Sequence, residues 1–403
     1  MNMENLFVRA GAIKQIEPFI DKPFIKVITG IRRCGKSSIL LLLAEHLKKR
    51  KISEKRIIFI NFENMEYAEL NTAQKLYEFV KDKMKQKRKY YIFLDEIQEV
   101  QNWEKVVNSL LQGKNADIYI TGSNSKLLSS ELSTYIAGRY VEFQIKPLSF
   151  REFREFNGKS SIGEDFKSYL RKGGFPAVNV YPYSEMERDK IIYDIYNSAI
   201  LRDVIQRNNI RNAELLDRIS KFIFDNLGNL FSAKRIADYF RSQNRSVDIE
   251  TIYNYLNALE QAFVVKKVPR FDIKGKEILK TQEKYFAGDH SLVYSIMGYK
   301  DRFISGVLEN VVMQEMERRG YKVFVGKLNG SEIDFLGEKQ NKKIYLQVCY
   351  QLNSKDTINR EFAPLELIKD NHPKYVVSMD SFFKDNINGI EHKFIGDFLL
   401  ERW

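Results

Sequence analysis

The stretch Phe24–Leu43, FIKVITGIRRCGKSSILLLL, decides how the first part of the chain folds. Read in order it is an apolar strand, a loop bounded by glycines and an apolar helix. β-branched Ile25, Val27 and Ile28 favour the strand, and the leucine run after Ser38 favours the helix. The loop between them, Gly30-Ile31-Arg32-Arg33-Cys34-Gly35-Lys36-Ser37, fits G-x-x-x-x-G-K-[ST] at every fixed position. Gly30 and Gly35 let the backbone curl until the amides of Ile31, Arg32, Arg33 and Cys34 converge on phosphate oxygens. Lys36 is placed to reach the β- and γ-phosphates, and the Ser37 hydroxyl is a ligand for Mg²⁺. Ser38 opens a helix whose positive dipole end adds to the same anion site. The expected ligand is therefore ATP with Mg²⁺. Arg32 and Arg33 face either the phosphates or solvent. Cys34 lies beside both arginines at a helix N-terminus, which lowers a thiol pKa. The plainer reading is a small residue tolerated at a variable loop position.

Composition bounds the rest. At 403 residues the chain is too long for one typical domain, and two or three are expected. Apolar residues at 44% and charged residues at 29% suit a folded soluble protein. The excess of 65 Lys+Arg over 53 Asp+Glu gives +12, which suits an anionic partner such as nucleic acid and equally a well-solvated surface. Two cysteines, Cys34 and Cys349, exclude a disulfide framework and a four-cysteine metal site. No stretch reads as a signal peptide or approaches the ~20 apolar residues of a membrane span. The expectation is a cytoplasmic protein without membrane contact.

Strand-like runs alternate with helical stretches up to about residue 150, the pattern of a parallel sheet covered by helices. RIIFINF (56–62), YYIFLDEIQ (90–98), DIYITG (117–122) and RYVEFQI (139–145) are the further strands. Tyr90-Tyr-Ile-Phe-Leu-Asp95-Glu96 ends an apolar strand in acids, where a carboxylate such as Asp95 belongs for Mg²⁺. Glu96, directly after it, is placed to orient and deprotonate an attacking water, so Glu96 and Lys36 are the expected catalytic pair. Ser123 and Asn124 end the next strand. Each can touch the γ-phosphate or the water, and each can equally cap a helix. Arg139 is either a sensor of γ-phosphate charge or a surface arginine at the start of a strand.

ITGIRRCGKSS, IFLDEIQEVQNWE, ITGSNSKLLS and GRYVEFQIKPLSFREF together resemble the AAA-related P-loop ATPases of archaea and bacteria, in the branch with the extra catalytic glutamate. The resemblance covers residues 1 to about 160. It implies a sheet in which the strand ending at Thr121 lies between the P-loop strand and the Asp95 strand. It names no substrate.

The expected organisation is multidomain: an α/β P-loop core over 1–156, a helical lid over 157–213, a winged helix-turn-helix over 214–300, and a nuclease-like α/β domain over 301–403. A helix over 214–227, a second from Ser232, a third from Asp248 and two hairpin strands, over 264–270 and 284–287, give the winged-helix order. The third helix is expected to expose Thr251, Asn254, Tyr255 and Asn257 and to bury Ile252, Leu256 and Leu259. Residues 264–280 hold six basic side chains against two acidic, which suits duplex DNA; a protein-docking role fits the same pattern. In the last segment Glu309 and Asp334 match the first two positions of a restriction-endonuclease core. Gln347 and Cys349 stand where its second carboxylate and lysine belong, and Glu332 and Glu338 lie near enough to migrate into the site. This segment resembles the domain of unknown function that commonly follows these ATPases, a degenerate nuclease fold; Gln347 and Cys349 weaken a third reading, an ATP-dependent nuclease, and a fold without nuclease chemistry is expected.

Overall fold

The computed structural model describes residues 7–122, 136–279, 282–381 and 386–403. Five parallel strands form the first sheet: β1 (Ile25–Thr29), β2 (Ile57–Asn61), β3 (Tyr90–Asp95), β4 (Ala116–Thr121) and β5 (Tyr140–Gln144), in the order β2-β3-β4-β1-β5. β4 lies between β1 and β3, the order implied by the resemblance. Every residue of β1, β3 and β4 is buried. Parallel strands covered on both faces read as continuous apolar runs for this reason. Of the covering helices α1 (Ala10–Ile16), α2 (Lys36–Lys49), α3 (Ala73–Lys83) and α4 (Trp103–Gln112), the last two press Leu76, Val80, Val106, Val107 and Leu110 onto Ile58, Ile60, Ile92 and Leu94. Each such side chain contributes about 1.5–3 kcal/mol when fully removed from water.

The pairing Ile28↔Thr121 and Leu94↔Ile120 brings the carboxyl ends of β1, β3 and β4 to one edge. That edge is where ligands bind in open parallel sheets. Lys26 sits inside this sheet with no exposure, paired with Asp117, which also accepts from the Tyr119 hydroxyl at 2.9 Å.

The second part begins at α5 (Phe150–Asn157), started by a capping box in which Ser149 and Glu152 satisfy each other's backbone amides. Helices α6 (Ile162–Lys172), α7 (Glu185–Asp194), α8 (Arg202–Asn208) and α9 (Ala213–Asp225) follow. Then come β6 (Leu230–Phe231), α10 (Ala233–Ser242), α11 (Ile249–Gln261), β7 (Val265–Val268), β8 (Arg270–Asp272), β9 (Glu277–Ile278) and β10 (Glu283–Ala287). β6, β10 and β7 make a small antiparallel sheet. After α12 (Ser291–Met297) and α13 (Ile304–Arg318) come β11 (Lys322–Leu328), β12 (Ser331–Lys339), β13 (Lys342–Val348), α14 (Lys355–Glu366), β14 (Lys374–Ser378), β15 (Asn386–Ile387), β16 (Ile390–Phe394) and α15 (Ile395–Leu400). The larger sheet is mixed, in the order β15-β16-β14-β13-β12-β11-β8-β9.

The two hairpin strands expected at 264–270 and 284–287 pair antiparallel as β7 and β10, while β8 and β9 between them join the larger sheet beside β11. Tyr255 is buried, not exposed, because it falls with Ile252, Leu256 and Leu259 on one inward stripe of α11; Tyr253 is exposed instead. The chain divides into two compact units, residues 1–147 with 261–263 and residues 148–260 with 264–403. Among the described residues no helix is long and apolar enough to cross a membrane.

Candidate nucleotide-binding site

The loop after β1 takes its shape from backbone angles that few residues adopt. Gly30 has φ +142°, Gly35 +98°, and Arg33 +68°. A Cβ on Gly30 would lie 2.1 Å from the Ile145 carbonyl oxygen, so only glycine fits there. Arg9, itself buried, fixes the loop from behind: its Nη1 donates to the Cys34 carbonyl at 3.1 Å and its Nη2 to the Lys146 carbonyl at 2.9 Å. Cys34 is fully buried, and burial pushes its thiol up against the opposing charges of Lys36 and Arg9. The lowered thiol pKa considered from the sequence is therefore corrected: desolvation outweighs the neighbouring positive charges. Arg32 donates to Glu63 at 2.9 Å, and Arg33 is exposed.

Lys36, the first residue of α2, is 4% exposed, and its Nζ donates to the Gly30 carbonyl at 3.1 Å. The same ammonium is 3.8 Å from Glu96 Oε1. Asp95, at the end of β3, is fully buried and its Oδ1 accepts from Thr121 Oγ1 at 2.5 Å. The Glu96 amide donates back to Thr121 Oγ1 at 2.8 Å, so one threonine at the end of β4 fixes both acids. Among the described residues, buried Asp95 Oδ2 finds no hydrogen-bond partner. Burial raises the Asp95 carboxyl, with Glu96 adding and the hydroxyls of Thr121 and Ser37 and the Lys36 charge opposing. Glu96 sits at φ +54°, a conformation that costs a non-glycine residue roughly 1–3 kcal/mol and recurs at functional sites. Its Oε2 accepts from Gln98 Nε2 at 2.5 Å. An unpaired buried carboxylate oxygen with a serine hydroxyl nearby is a donor set that fits a hard divalent cation such as Mg²⁺.

The structure thus brings Gly30, Gly35, Lys36, Ser37, Asp95 and Glu96 to one edge of the sheet, with Ile31 to Cys34 forming the loop and Ser38 the first turn of α2. Ser123 and Asn124 lie outside the described residues. Arg139 is not brought to this edge: it precedes β5 beside Ile25, at the opposite edge, where it is exposed and bonds Asn108 of α4. A parallel strand carries its two ends to opposite edges, so a residue before β5 cannot share the edge that follows β1. Arg9, Thr121 and Gln98 were not singled out in the sequence. Only Thr121 carried a signal, as a polar residue closing an apolar strand.

In the second unit Glu309 of α13 and Asp334 of β12 meet on one ammonium, that of Lys284 from β10. Lys284 Nζ lies 2.9 Å from Glu309 Oε2, 3.1 Å from Asp334 Oδ1 and 2.8 Å from Glu332 Oε1. Gln347 Oε1 accepts the Asp334 amide at 3.2 Å, and Asp334 Oδ2 accepts the Val348 amide at 2.9 Å. Glu338 pairs with Lys343 at 3.0 Å instead. Burial drives the Glu309 carboxyl up to about 8, with Asp334 and Glu332 adding and Lys284 opposing. Burial alone would lower Lys284, but the three carboxylates hold it well above its ordinary value. Among the described residues no group of three or more His, Cys, Asp or Glu is arranged to hold a metal ion.

A parallel five-stranded sheet with a phosphate-binding loop after its β1 and paired acids after β3 defines a P-loop ATPase. The comparisons agree. The AAA domain family model matches residues 22–154, and the domain of unknown function DUF8612 matches residues 163–302. An uncharacterised protein of Haemophilus influenzae is 37% identical over 400 residues, covering 98% of each chain. The uncharacterised protein MJ1544 of Methanocaldococcus jannaschii is 31% identical over 362 residues, 86% of this chain and 79% of that one. The solved structure of the Walker-type ATPase PABY2304 of Pyrococcus abyssi superposes with a TM-score of 0.51 at 16% identity, over 73% of this chain and 97% of that one, and shares the fold. This chain belongs to the family of ATP-binding P-loop ATPases that carry this AAA domain.

Proposed function

We propose that this protein binds ATP with Mg²⁺ and hydrolyses it slowly, as a nucleotide-driven conformational switch. The observation that carries this reading is the pair Lys36 and Glu96, 3.8 Å apart, beside a buried Asp95 oxygen that has no hydrogen-bond partner among the described residues. The loop amides and Lys36 bind and orient the phosphates, with Lys36 exchanging its bond to the Gly30 carbonyl for a phosphate oxygen. Ser37 and Asp95 would hold Mg²⁺, which supplies charge neutralisation at the phosphates when bound. Glu96 aligns a water and takes its proton, its carboxylate steadied by Gln98 and its backbone by Thr121. Ser123, Asn124 and Arg139 remain candidates for sensing the γ-phosphate, Arg139 only from a neighbouring copy given its edge. Steady-state ATP hydrolysis with and without duplex DNA tests the reading: measurable turnover is expected, and Lys36→Ala abolishes both ATP binding and turnover. Wild-type turnover in Lys36→Ala would overturn it.

A second reading, a DNA-binding regulator with nucleotide as a structural ligand, is favoured by the order α9–β6–α10–α11–β7–β10, which resembles a winged helix. Tyr253, Asn254 and Asn257 stand outward on α11. The β10–α13–β11–β12–β13 region resembles a nuclease core, and we read it as a scaffold without nuclease chemistry.

A further inference from the structure

We propose that Lys284 is the permanent cation of the carboxylate centre in the second unit, filling the position a divalent metal would take and closing that centre to metal. Oxygens of Glu309, Glu332 and Asp334 converge on its Nζ at 2.8–3.1 Å from two elements, α13 and β12, while the lysine itself comes from a third, β10. Mg²⁺ and Mn²⁺ take oxygen ligands of this chemistry but hold them closer, and with Lys284 in place the three acids are spaced for an ammonium and not for a metal. Their meeting point is already held by an ammonium whose side chain is 2% exposed. A surface ion pair would exchange with solvent; this one is buried, and removing its charge leaves the Asp334 and Glu332 carboxylates, and Glu309 wherever it is ionised, without a counter-charge.

Access does not explain the exclusion. A cleft of about 660 Å³, lined by Glu332, Gln347, Glu361 and Arg360 among others, reaches the centre at Glu332, whose side chain is 39% exposed. An ion can arrive there, and Lys284 stands in its place. Nor is the lysine on a movable strap. Asn310 of α13 exchanges two hydrogen bonds with Ala287: its Oδ1 accepts from the Ala287 amide at 2.6 Å and its Nδ2 donates to the Ala287 carbonyl at 3.1 Å. Gln314 adds bonds to the Ala287 and Gly288 carbonyls at 3.0 and 2.9 Å. The strand carrying Lys284 is thus clamped to the helix carrying Glu309. Through Glu332 and Asp334 of β12, Lys284 also links the small antiparallel sheet to the eight-stranded sheet.

The test is Mn²⁺ binding to nucleotide-free protein, followed by electron paramagnetic resonance. Wild type, Asp334→Asn and Glu332→Gln are expected to bind the same amount of Mn²⁺, because none has an open centre. Lys284→Met, which keeps the side-chain length and removes the charge, is expected to gain one Mn²⁺ per chain, lost again when Asp334→Asn is added. Lys284→Arg is expected to fold and gain none. A wild-type Mn²⁺ site that Asp334→Asn or Glu332→Gln removes would overturn the proposal, and that comparison stands even if Lys284→Met fails to fold. A folded Lys284→Met without a new Mn²⁺ site would also overturn it.

Discussion

At the residue scale, the side chains fixed by a motif were legible and those fixed by distant contacts were not. Lys36, Ser37, Asp95 and Glu96 are readable because a phosphate-binding loop and a strand-terminal acid pair occupy invariant places relative to one another. Arg9 gives no such sign: a lone arginine acquires its role only by reaching the carbonyls of Cys34 and Lys146. Lys284 is similar, since its partners lie on α13 and β12. Glu309 and Asp334 were legible, but as members of a metal site, because the sequence does not reveal the cation between them. The raised Glu309 carboxyl makes a pH prediction. An ordinary glutamate ionises near 4.5, whereas Glu309 in the fold keeps its proton up to about 8. The folded state therefore binds this proton more tightly than the unfolded chain does. Its stabilisation is complete below 4.5 and is lost as pH rises through 8. Thermal denaturation of the second unit should show this as a midpoint falling with rising pH across that window. Glu309→Gln should flatten the slope, and an unchanged slope in that variant would count against the assignment.

At the element scale, periodicity and turn chemistry located most strands and helices to within a residue or two. The five strands of the first sheet stand where alternation of apolar runs and helices put them. What failed were pairings set by residues far along the chain. The hairpin strands at 264–270 and 284–287 do pair, but the segment between them does not read as strand, and its β8 pairs with β11, which begins at Lys322. Nothing within 264–280 encodes that partner. Tyr255 was misplaced for a smaller reason: an aromatic with a hydroxyl reads as polar or apolar, and the stripe of α11 decides. The phosphate loop gives the sharpest prediction at this scale. Gly30→Ala must place a Cβ on the Ile145 carbonyl at φ +142°, so the loop has to move. Strain of this kind costs at least about 1–3 kcal/mol. The expected result is a lower melting temperature together with weakened ATP binding by calorimetry. Wild-type affinity in a stable Gly30→Ala protein would contradict this geometry.

At the scale of the whole molecule, residues 148–260 and 264–403 form one compact unit, in which β8 and Lys284 tie the middle of the chain to the later sheet. Charge bears on the choice of partner. The +12 balance is global, and part of the basic hairpin is already engaged: Lys266 with Glu317 at 3.4 Å and Arg270 with Gln282 at 2.9 Å. If this protein binds duplex DNA, affinity should fall with salt at a log–log slope of about −0.9 per phosphate neutralised. Replacing Lys267, Lys274 and Lys276 together should flatten that slope. Undetectable or salt-independent binding, measured by fluorescence anisotropy, would favour a protein partner for the same surface.

The central claim is that Glu96 is the general base of an ATP-hydrolysing site, and one comparison tests it most directly. ATP affinity and steady-state turnover are measured side by side for wild type and Glu96→Gln. Affinity is expected to stay within a few-fold, because Lys36 and the loop amides hold the phosphates. Turnover is expected to fall by about 10²-fold or more, the range for loss of a positioned base. Wild-type turnover in Glu96→Gln would contradict the account.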